Sequence, residues 1–256
     1  MSGTLLQVEN LAKRFAGIVA TDNLALNIAD GELHAIIGPN GAGKTTLIAQ
    51  LGGQLTPDSG RIVFDGRDIT GLPMYRRSQI GLARSFQITS LFLDLSVLDN
   101  VALAVQARAG HSFHFWRDAR REAELREPAR AAIERVGLGA RADARASALS
   151  HGEHRLIELA MALAGNPRML LLDEPMAGLG PEESARMVEM LRTLKSELTI
   201  LLVEHDMEAV FALADRITVL VYGRVIATGS PADIRADPAV RDAYLGEADA
   251  EDAAHG

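Results

Sequence analysis

The chain has 256 residues, of which 48% are hydrophobic and 23% are charged, so it can bury one large core or a core with a smaller subdomain. A net charge of −8 argues against a nucleic-acid partner, and the absence of cysteine excludes disulfides and thiolate metal sites. The apolar runs are far shorter than the roughly 20 residues of a membrane span, and the N-terminus has no signal-peptide pattern. We therefore expect a soluble chain that reaches a membrane only through a protein partner.

The amino-terminal stretch predicts antiparallel strands with one exposed face. Apolar and polar residues alternate along residues 6–9, 24–28 and 61–66, which is typical of half-buried strands. This alternation sets the stretch apart from the apolar runs found elsewhere in the chain.

Three nearly unbroken apolar runs predict strands of a second kind. Residues 34–37, 169–172 and 199–203 have the pattern of parallel strands that are covered on both faces. Helices are predicted after the first two runs, from about Lys44 to Leu51 and from Pro181 onward. Alternating strands and helices indicate an α/β sheet whose functional site lies at the carboxyl ends of the strands.

Residues from about Gln87 to Gly165, before the second apolar run, carry little strand signal and are predicted to be mainly helical. The helical patterns lie at residues 97–109, 117–136 and 154–164. We therefore place an inserted helical subdomain at about 88–165, in which Pro128 is expected to start or kink its helix. Residues 1–247 are interpreted as a single domain, followed by a disordered acidic tail at 248–256.

A glycine-rich motif follows the first apolar run and precedes a helix. Its residues are Gly38, Pro39, Asn40, Gly41, Ala42, Gly43, Lys44, Thr45 and Thr46. The motif matches the phosphate-binding loop, in which glycines let backbone N–H groups converge on phosphates at a helix N-terminus. Lys44 is expected to reach the β- and γ-phosphates of ATP, and Thr45 to bind Mg²⁺. A plain glycine-rich turn is the alternative, and the strand-to-helix context disfavours it.

Two acidic residues end the second apolar run. Asp173 is positioned to hold Mg²⁺ through water, and Glu174 to act as the base that polarises the attacking water. Taken alone, two acids after an apolar strand more often form a solvated turn. Their occurrence beside a phosphate-binding loop favours the catalytic interpretation.

Residues Leu149–Glu153 have a local structural explanation. Ser150 and Glu153 have the spacing of a capping box before an apolar helical stripe. A capped helix start is also an anion site, so the structural and functional interpretations are compatible.

Taken together, these motifs resemble the ABC ATPase family from about Leu5 to Glu247. Leu149–Glu153 aligns with the family signature L-S-G-G-Q, shortly before Asp173 as the family order requires. The resemblance implies a P-loop NTPase of ABC type, with a mixed or parallel sheet, an antiparallel β subdomain and a helical subdomain. It also implies that Ser150 and Gly152 bind ATP.

The resemblance adds further site residues. It places Gln87 at the Q-loop, which contacts the metal and the water, and His205 at the switch histidine, which contacts the γ-phosphate. Phe15 falls at the aromatic position that stacks on adenine, and Gly178–Gly180 at the D-loop. The resemblance thus implies three catalytic residues, Glu174, His205 and Gln87. It also implies three metal-binding residues, Thr45, Asp173 and Gln87.

Three residues depart from the family pattern. His151 and Glu153 stand where the signature usually has glycine and glutamine, and Gly180 stands where the D-loop often has aspartate. We expect Glu153 to be bonded back to the start of its own helix rather than to contact nucleotide, because its spacing from Ser150 is that of a capping box.

Within the family, the chain is similar to ATP-binding subunits of bacterial branched-chain amino-acid uptake systems. The residues behind this similarity are those at 81–87, 203–207 and 237–247. Urea or amide importers and lipopolysaccharide exporters are alternatives, although Glu204 before the switch histidine is atypical of the exporters. A soluble ABC protein outside transport is the alternative from a different class, and a regulatory ATP-binding module without turnover is disfavoured by the presence of Glu174 and His205.

The resemblance also implies cofactors, partners and a location. The cofactors are ATP and Mg²⁺. The partners are a second ATPase subunit (a paralogue or a second copy) in a head-to-tail dimer, two integral membrane permease subunits and, indirectly, a periplasmic substrate-binding protein. The location is the cytoplasmic face of the inner membrane.

Overall fold

The computed structural model describes residues 3–85, 91–109 and 123–243. Contacts divide the chain into two compact units. The first comprises residues 1–74, 172–174 and 191–256, and the second comprises residues 75–171 and 175–190.

The strands and helices follow one another along the chain in an α/β order. The strands are β1 (Thr4–Phe15), β2 (Ile18–Ala29), β3 (Leu33–Ile37), β4 (Ser59–Phe64), β5 (Arg67–Asp68), β6 (Leu82–Arg84), β7 (Met169–Asp173), β8 (Thr199–Val203), β9 (Arg216–Val221) and β10 (Arg224–Gly229). The helices are α1 (Lys44–Gly52), α2 (Met74–Gln79), α3 (Val97–Ala109), α4 (Ala123–Arg135), α5 (His151–Leu163), α6 (Pro181–Leu194), α7 (Met207–Leu213) and α8 (Pro231–Ala236).

The amino-terminal strands form the antiparallel sheet that the alternation predicts. Its order is β2-β1-β4-β5, and β1 pairs antiparallel with both β2 and β4. Along β2, Leu24, Leu26 and Ile28 are buried and the residues between them are exposed. One face of this sheet therefore contributes to the core of the first unit.

The apolar runs form strands of a six-stranded sheet with the order β10-β9-β3-β8-β7-β6. In the first unit, β3 pairs in parallel with β8 and β9, and β10 is an antiparallel edge strand. In the second unit, β6 pairs in parallel with the beginning of β7, which continues into the first unit. Every residue of β3, β7 and β8 is buried, which explains their continuous apolar character.

One fully buried polar residue interrupts the apolar pattern of β3. His34 lies 2.6 Å through Nδ1 from the carboxylate of Glu32 and 2.7 Å through Nε2 from the hydroxyl of Thr218. The Thr218 hydroxyl in turn lies 2.9 Å from that of Thr228. Glu32, His34, Thr218 and Thr228 thus form a hydrogen-bonded series in which each side chain has a partner. This pairing allows β3, β9 and β10 to carry polar side chains inside the sheet.

The helices of the second unit correct two sequence-based expectations. Helix α5 begins at His151, not at residue 154, because Ser150 caps it. Helix α4 (Ala123–Arg135) contains Pro128 in its interior, so Pro128 does not start this helix, and the alternative expectation that it kinks the helix stays a prediction. Four apolar residues of α4, Leu125, Ala129, Ala132 and Ile133, are buried, and their packing outweighs the cost of the proline. Residues 117–122 of the predicted helix lie outside the described residues.

Among the residues that the structure describes, no helix is long and apolar enough to cross a membrane.

Candidate nucleotide-binding site

The glycine-rich loop lies between the carboxyl end of β3 and the start of α1, as the motif predicts. Gly38 and Gly43 have φ angles of 152° and 99°, and a Cβ at either would overlap a backbone oxygen, that of Leu220 or Ala20 respectively. These close approaches require glycine at both positions. The loop can therefore curve tightly and direct its backbone N–H groups inward.

Lys44 is held at the centre of this loop. The residue is buried, and its Nζ donates hydrogen bonds to the carbonyl oxygens of Gly38 and, at 2.9 Å, of Pro39. The ammonium thus lies within the curve of the loop, where the phosphates of a nucleotide are expected to bind.

The turn between β9 and β10 anchors the loop. The N–H of Gly223 donates to the carbonyl oxygen of Ala42, and the N–H of Asp22 donates to that of Gly223, both at 2.9 Å. The turn is a tight one, because Tyr222 and Gly223 have φ angles of 47° and 77°. Sequence reasoning missed this anchor, although the Tyr-Gly pair between two apolar runs signals a hairpin.

The two acidic residues lie where β7 ends. Asp173 is 5% exposed, and Glu174 follows it with a φ of 50°, which is uncommon for a residue other than glycine. The N–H of Glu174 donates to the carbonyl oxygen of Val203 at 2.8 Å, which ties the end of β7 to the end of β8. Both acids thus lie at the same sheet edge as the glycine-rich loop.

His205 lies in the segment that follows β8. Its side chain is 67% exposed, whereas Glu204 before it is almost fully buried. The Glu204 carboxylate accepts a hydrogen bond from the backbone N–H of His205 at 3.0 Å, and Asp206 caps α7 just beyond. Glu204 and Asp206 therefore fix the backbone on both sides of His205. The sequence analysis used Glu204 only to distinguish uptake systems from exporters and did not predict its contact with the backbone of His205. The signal for that contact was an acidic residue between a buried strand and a histidine.

Phe15 ends β1 at the tip of the β1–β2 hairpin. Its side chain is exposed, and the Nζ of Lys13 lies 5.7 Å from the ring centroid. Phe15, Lys44, Asp173, Glu174 and His205 all belong to the first unit. Gln87 lies outside the described residues.

The signature residues Ser150 and Gly152 belong to the second unit. The predicted capping box is present: the Glu153 N–H donates to the Ser150 hydroxyl at 3.2 Å, and the Ser150 N–H donates to the Glu153 carboxylate at 2.8 Å. Arg141 lies 3.5 Å from the same carboxylate. The expectation that Glu153 is bonded back to its own helix start is therefore confirmed.

The oxygen ligands that the first unit offers suit Mg²⁺ bound together with a nucleotide. They suit a metal ion coordinated by protein side chains alone less well. Thr45 offers a hydroxyl in the first turn of α1, and Asp173 offers a buried carboxylate. In the described part of the chain, no three His, Cys, Asp or Glu side chains are grouped to hold a metal ion. Mg²⁺ commonly uses one or two protein oxygens and completes its shell with phosphate oxygens and water.

Comparison with known proteins decides the family. Residues 21–177 match the ABC transporter family, and residues 224–250 match a second family described as branched-chain amino acid ATP-binding cassette transporter. The chain belongs to the ABC transporter ATP-binding family. It is accordingly an ATP-hydrolysing cassette, and the predicted fold class is confirmed.

Several relatives are similar over nearly their whole length. The high-affinity branched-chain amino acid transport ATP-binding protein LivG of Salmonella typhimurium is 40% identical, over 97% of this chain and 100% of the relative. BraF of Pseudomonas aeruginosa, with the same description, is 38% identical over the same shares. The lipopolysaccharide export ATP-binding protein LptB of Acidithiobacillus ferridurans is 36% identical, over 95% of this chain and 97% of the relative.

Solved ABC cassettes share the fold. The crystal structure of the ADP conformation of MJ1267, an ATP-binding cassette of an ABC transporter, has a TM-score of 0.85 and 30% identity, covering 96% of this chain and 100% of that one. A nucleotide-free ABC transporter cassette has a TM-score of 0.83, 30% identity, and coverage of 94% and 99%. A cassette of this fold thus occurs both with ADP and without nucleotide.

Proposed function

We propose that this chain hydrolyses ATP to power the uptake of branched-chain or related amino acids across the bacterial inner membrane. The observation that carries the proposal is the match of residues 224–250 to the branched-chain cassette family, which is separate from the general ABC match. Full-length similarity to LivG and BraF supports the same substrate class.

Lipopolysaccharide export is the second candidate, because LptB is nearly as similar in identity and coverage. The branched-chain match at the carboxyl end and Glu204 before His205 favour uptake. Urea or amide import stays a variant of the uptake proposal with a different cargo.

Nucleotide binding rests on the glycine-rich loop and its lysine. The loop from Gly38 to Thr46 would cradle the phosphates of ATP, Lys44 would neutralise β- and γ-phosphate charge, and Phe15 would stack on adenine. Thr45 and Asp173, together with Gln87, would hold Mg²⁺, which supplies charge neutralisation at the phosphates when bound.

Hydrolysis rests on two residues at the same sheet edge. Glu174 would orient the attacking water and accept its proton, and His205 would contact the γ-phosphate. The backbone N–H of Glu174 donates a hydrogen bond to Val203 in β8. The backbone N–H of His205 donates a hydrogen bond to the side chain of Glu204. These bonds support the proposal, because they fix the backbone from which each side chain would reach the nucleotide.

Each complete site requires a second subunit. In a head-to-tail dimer, Ser150 and Gly152 of one subunit would face the nucleotide held by the loop of the other. The partner is a second copy or a paralogue. The dimer would act at the cytoplasmic face of the membrane on two permease subunits, which receive substrate from a periplasmic binding protein.

Uptake of labelled substrates tests the cargo. In cells that lack this chain, uptake of radiolabelled leucine should fall, and the wild-type chain should restore it whereas Glu174→Gln should not. Normal leucine uptake combined with lost urea uptake would overturn the branched-chain assignment. Normal uptake of both, with lipopolysaccharide retained at the inner membrane, would favour the export alternative.

A further inference from the structure

The first turn of α6 carries a carboxylate that holds the end of the D-loop. Oε2 of Glu183 accepts a hydrogen bond from the backbone N–H of Gly180 at 3.3 Å. Gly180 immediately precedes α6 and has no side chain with which to cap it. Glu183 therefore supplies the returning half of a capping box and fixes Gly180 against the helix.

The same carboxylate also lies against the signature. A Cβ at Gly152 would overlap Oε1 of Glu183 and would lie 2.6 Å from its Cδ. Gly152 is buried, so its bare Cα faces the carboxylate at close range. Any larger residue at position 152 would push the Glu183 side chain away from this position.

A second contact joins the same two segments. A Cβ at Gly178 would lie 3.5 Å from Nε2 of His151, which is ordinary van der Waals distance. The imidazole of His151, which stands where the family signature usually has glycine, is thus next to the D-loop. Two adjacent signature residues, His151 and Gly152, therefore lie next to the D-loop segment and the start of α6, all within the second unit.

We infer that Glu183 is a positioning residue that couples the D-loop to the signature within one subunit. The inference rests on the proposed function, in which the signature faces the nucleotide of the partner subunit. The D-loop at Gly178–Gly180 follows Glu174, the proposed hydrolytic base of the same subunit, closely along the chain. Through Glu183, the position of that D-loop determines where Gly152 is presented to the other site.

ATP-driven dimerisation separates this role from nucleotide binding. In a Glu174→Gln background, which should hold ATP, Glu183→Ala should weaken ATP-driven dimerisation about tenfold, the scale of one hydrogen bond to a charged acceptor. The affinity of the monomer for nucleotide should not change, because the loop around Lys44 is intact. Glu183→Gln, whose amide oxygen can still accept from Gly180, should stay within about twofold of the parent.

Glu182→Ala is the matched control. Its side chain is 92% exposed and lies 3.9 Å from Arg186, so its removal should leave dimerisation within about twofold. Sedimentation velocity with and without ATP measures dimerisation, and a labelled nucleotide measures monomer affinity.

Three results would overturn the inference: dimerisation of Glu183→Ala equal to that of Glu182→Ala, equal loss in Glu183→Gln and Glu183→Ala, or lost nucleotide affinity in the monomer. If the parent Glu174→Gln chain neither binds ATP nor dimerises with it, the proposed function fails instead. The two failures are therefore distinguishable.

Discussion

At the scale of single residues, Glu174 combines backbone strain with a fixed position. Its φ of 50° costs on the order of 1 kcal/mol or more for a residue other than glycine. The hydrogen bond from its N–H to Val203 holds this conformation at the end of β7. A strained residue that the surrounding sheet holds in place is characteristic of functional sites.

Glu174→Gln should preserve ATP binding and lower hydrolysis by roughly 10²–10⁴-fold, because the amide keeps the shape of the side chain but cannot accept the proton. Lys44→Ala is the contrasting variant and should weaken nucleotide binding itself. Steady-state ATPase assays and titration with labelled nucleotide check both variants. Turnover of Glu174→Gln close to that of the wild type would show that another group is the base.

Glu153 and Ser150 form a second residue-scale test, because both halves of their capping box are present. Glu153→Gln should change ATPase activity less than about threefold, since glutamine can serve the same capping role. Ser150→Ala should cost far more, because it removes the cap and a proposed γ-phosphate contact. A large rise in activity or ATP affinity of Glu153→Gln would mean that the carboxylate faces the phosphate.

At the scale of secondary-structure elements, the hydrogen-bonded series from Glu32 through His34 to Thr218 and Thr228 affects the stability of the folded state. Burial of the Glu32 carboxylate acts to raise its pKa, but hydrogen bonds from His34 and the N–H of Ala29, with the charges of His34 and Arg216, outweigh burial and lower the pKa below 4.5. A lowered pKa in the folded state means that ionised Glu32 stabilises the fold above pH 4.5. This contribution is lost as pH falls through the lowered value.

Glu32→Gln should therefore lower the free energy of unfolding at pH 7 by about 1 kcal/mol, since the amide cannot attract His34 and Arg216 as a carboxylate does. The difference between wild type and variant should shrink as the pH falls below 4.5. Urea unfolding across this pH range measures it, with the exposed Glu124→Gln as control. A difference that is constant with pH would contradict the assigned role of the charge.

Elements whose character is local could be predicted from the sequence. Strands β3, β7 and β8 were predicted because burial on both faces requires continuous apolar runs, and the glycine-rich loop because its motif is dense. The start of α5 was placed late because its apolar stripe begins after its cap. The interior position of Pro128 depends on the packing of α4, which overrides the local preference of proline.

Contacts between distant residues could not be predicted in this way. The anchoring of Ala42 by Gly223, the bond from Glu174 to Val203 and the approach of Glu183 to Gly152 each join residues far apart in sequence. No periodicity or motif encodes these contacts, because they depend on which elements become neighbours in the fold. The sequence shows that Glu204 directly precedes His205, but only the structure shows that the Glu204 carboxylate accepts a hydrogen bond from the backbone N–H of His205.

At the scale of the whole molecule, the groups proposed for one reaction belong to different units of the chain. The glycine-rich loop, Asp173, Glu174 and His205 lie in the first unit, and the signature lies in the second. The proposed head-to-tail arrangement would give each nucleotide a loop from one subunit and a signature from the other. A monomer would then have half of each site, and hydrolysis would be a property of the dimer.

The dependence of ATPase activity on protein concentration tests this central claim most directly. The purified chain alone should hydrolyse ATP weakly, and its activity per molecule should fall steeply on dilution, because the active species is a dimer. Excess Ser150→Ala chains added at low, fixed wild-type concentration should restore activity although they are nearly inactive alone, because a mixed dimer has one complete site, formed by the loop of the variant and the signature of the wild-type chain. Activity per molecule that stays constant on dilution far below the dimerisation constant would contradict the shared site.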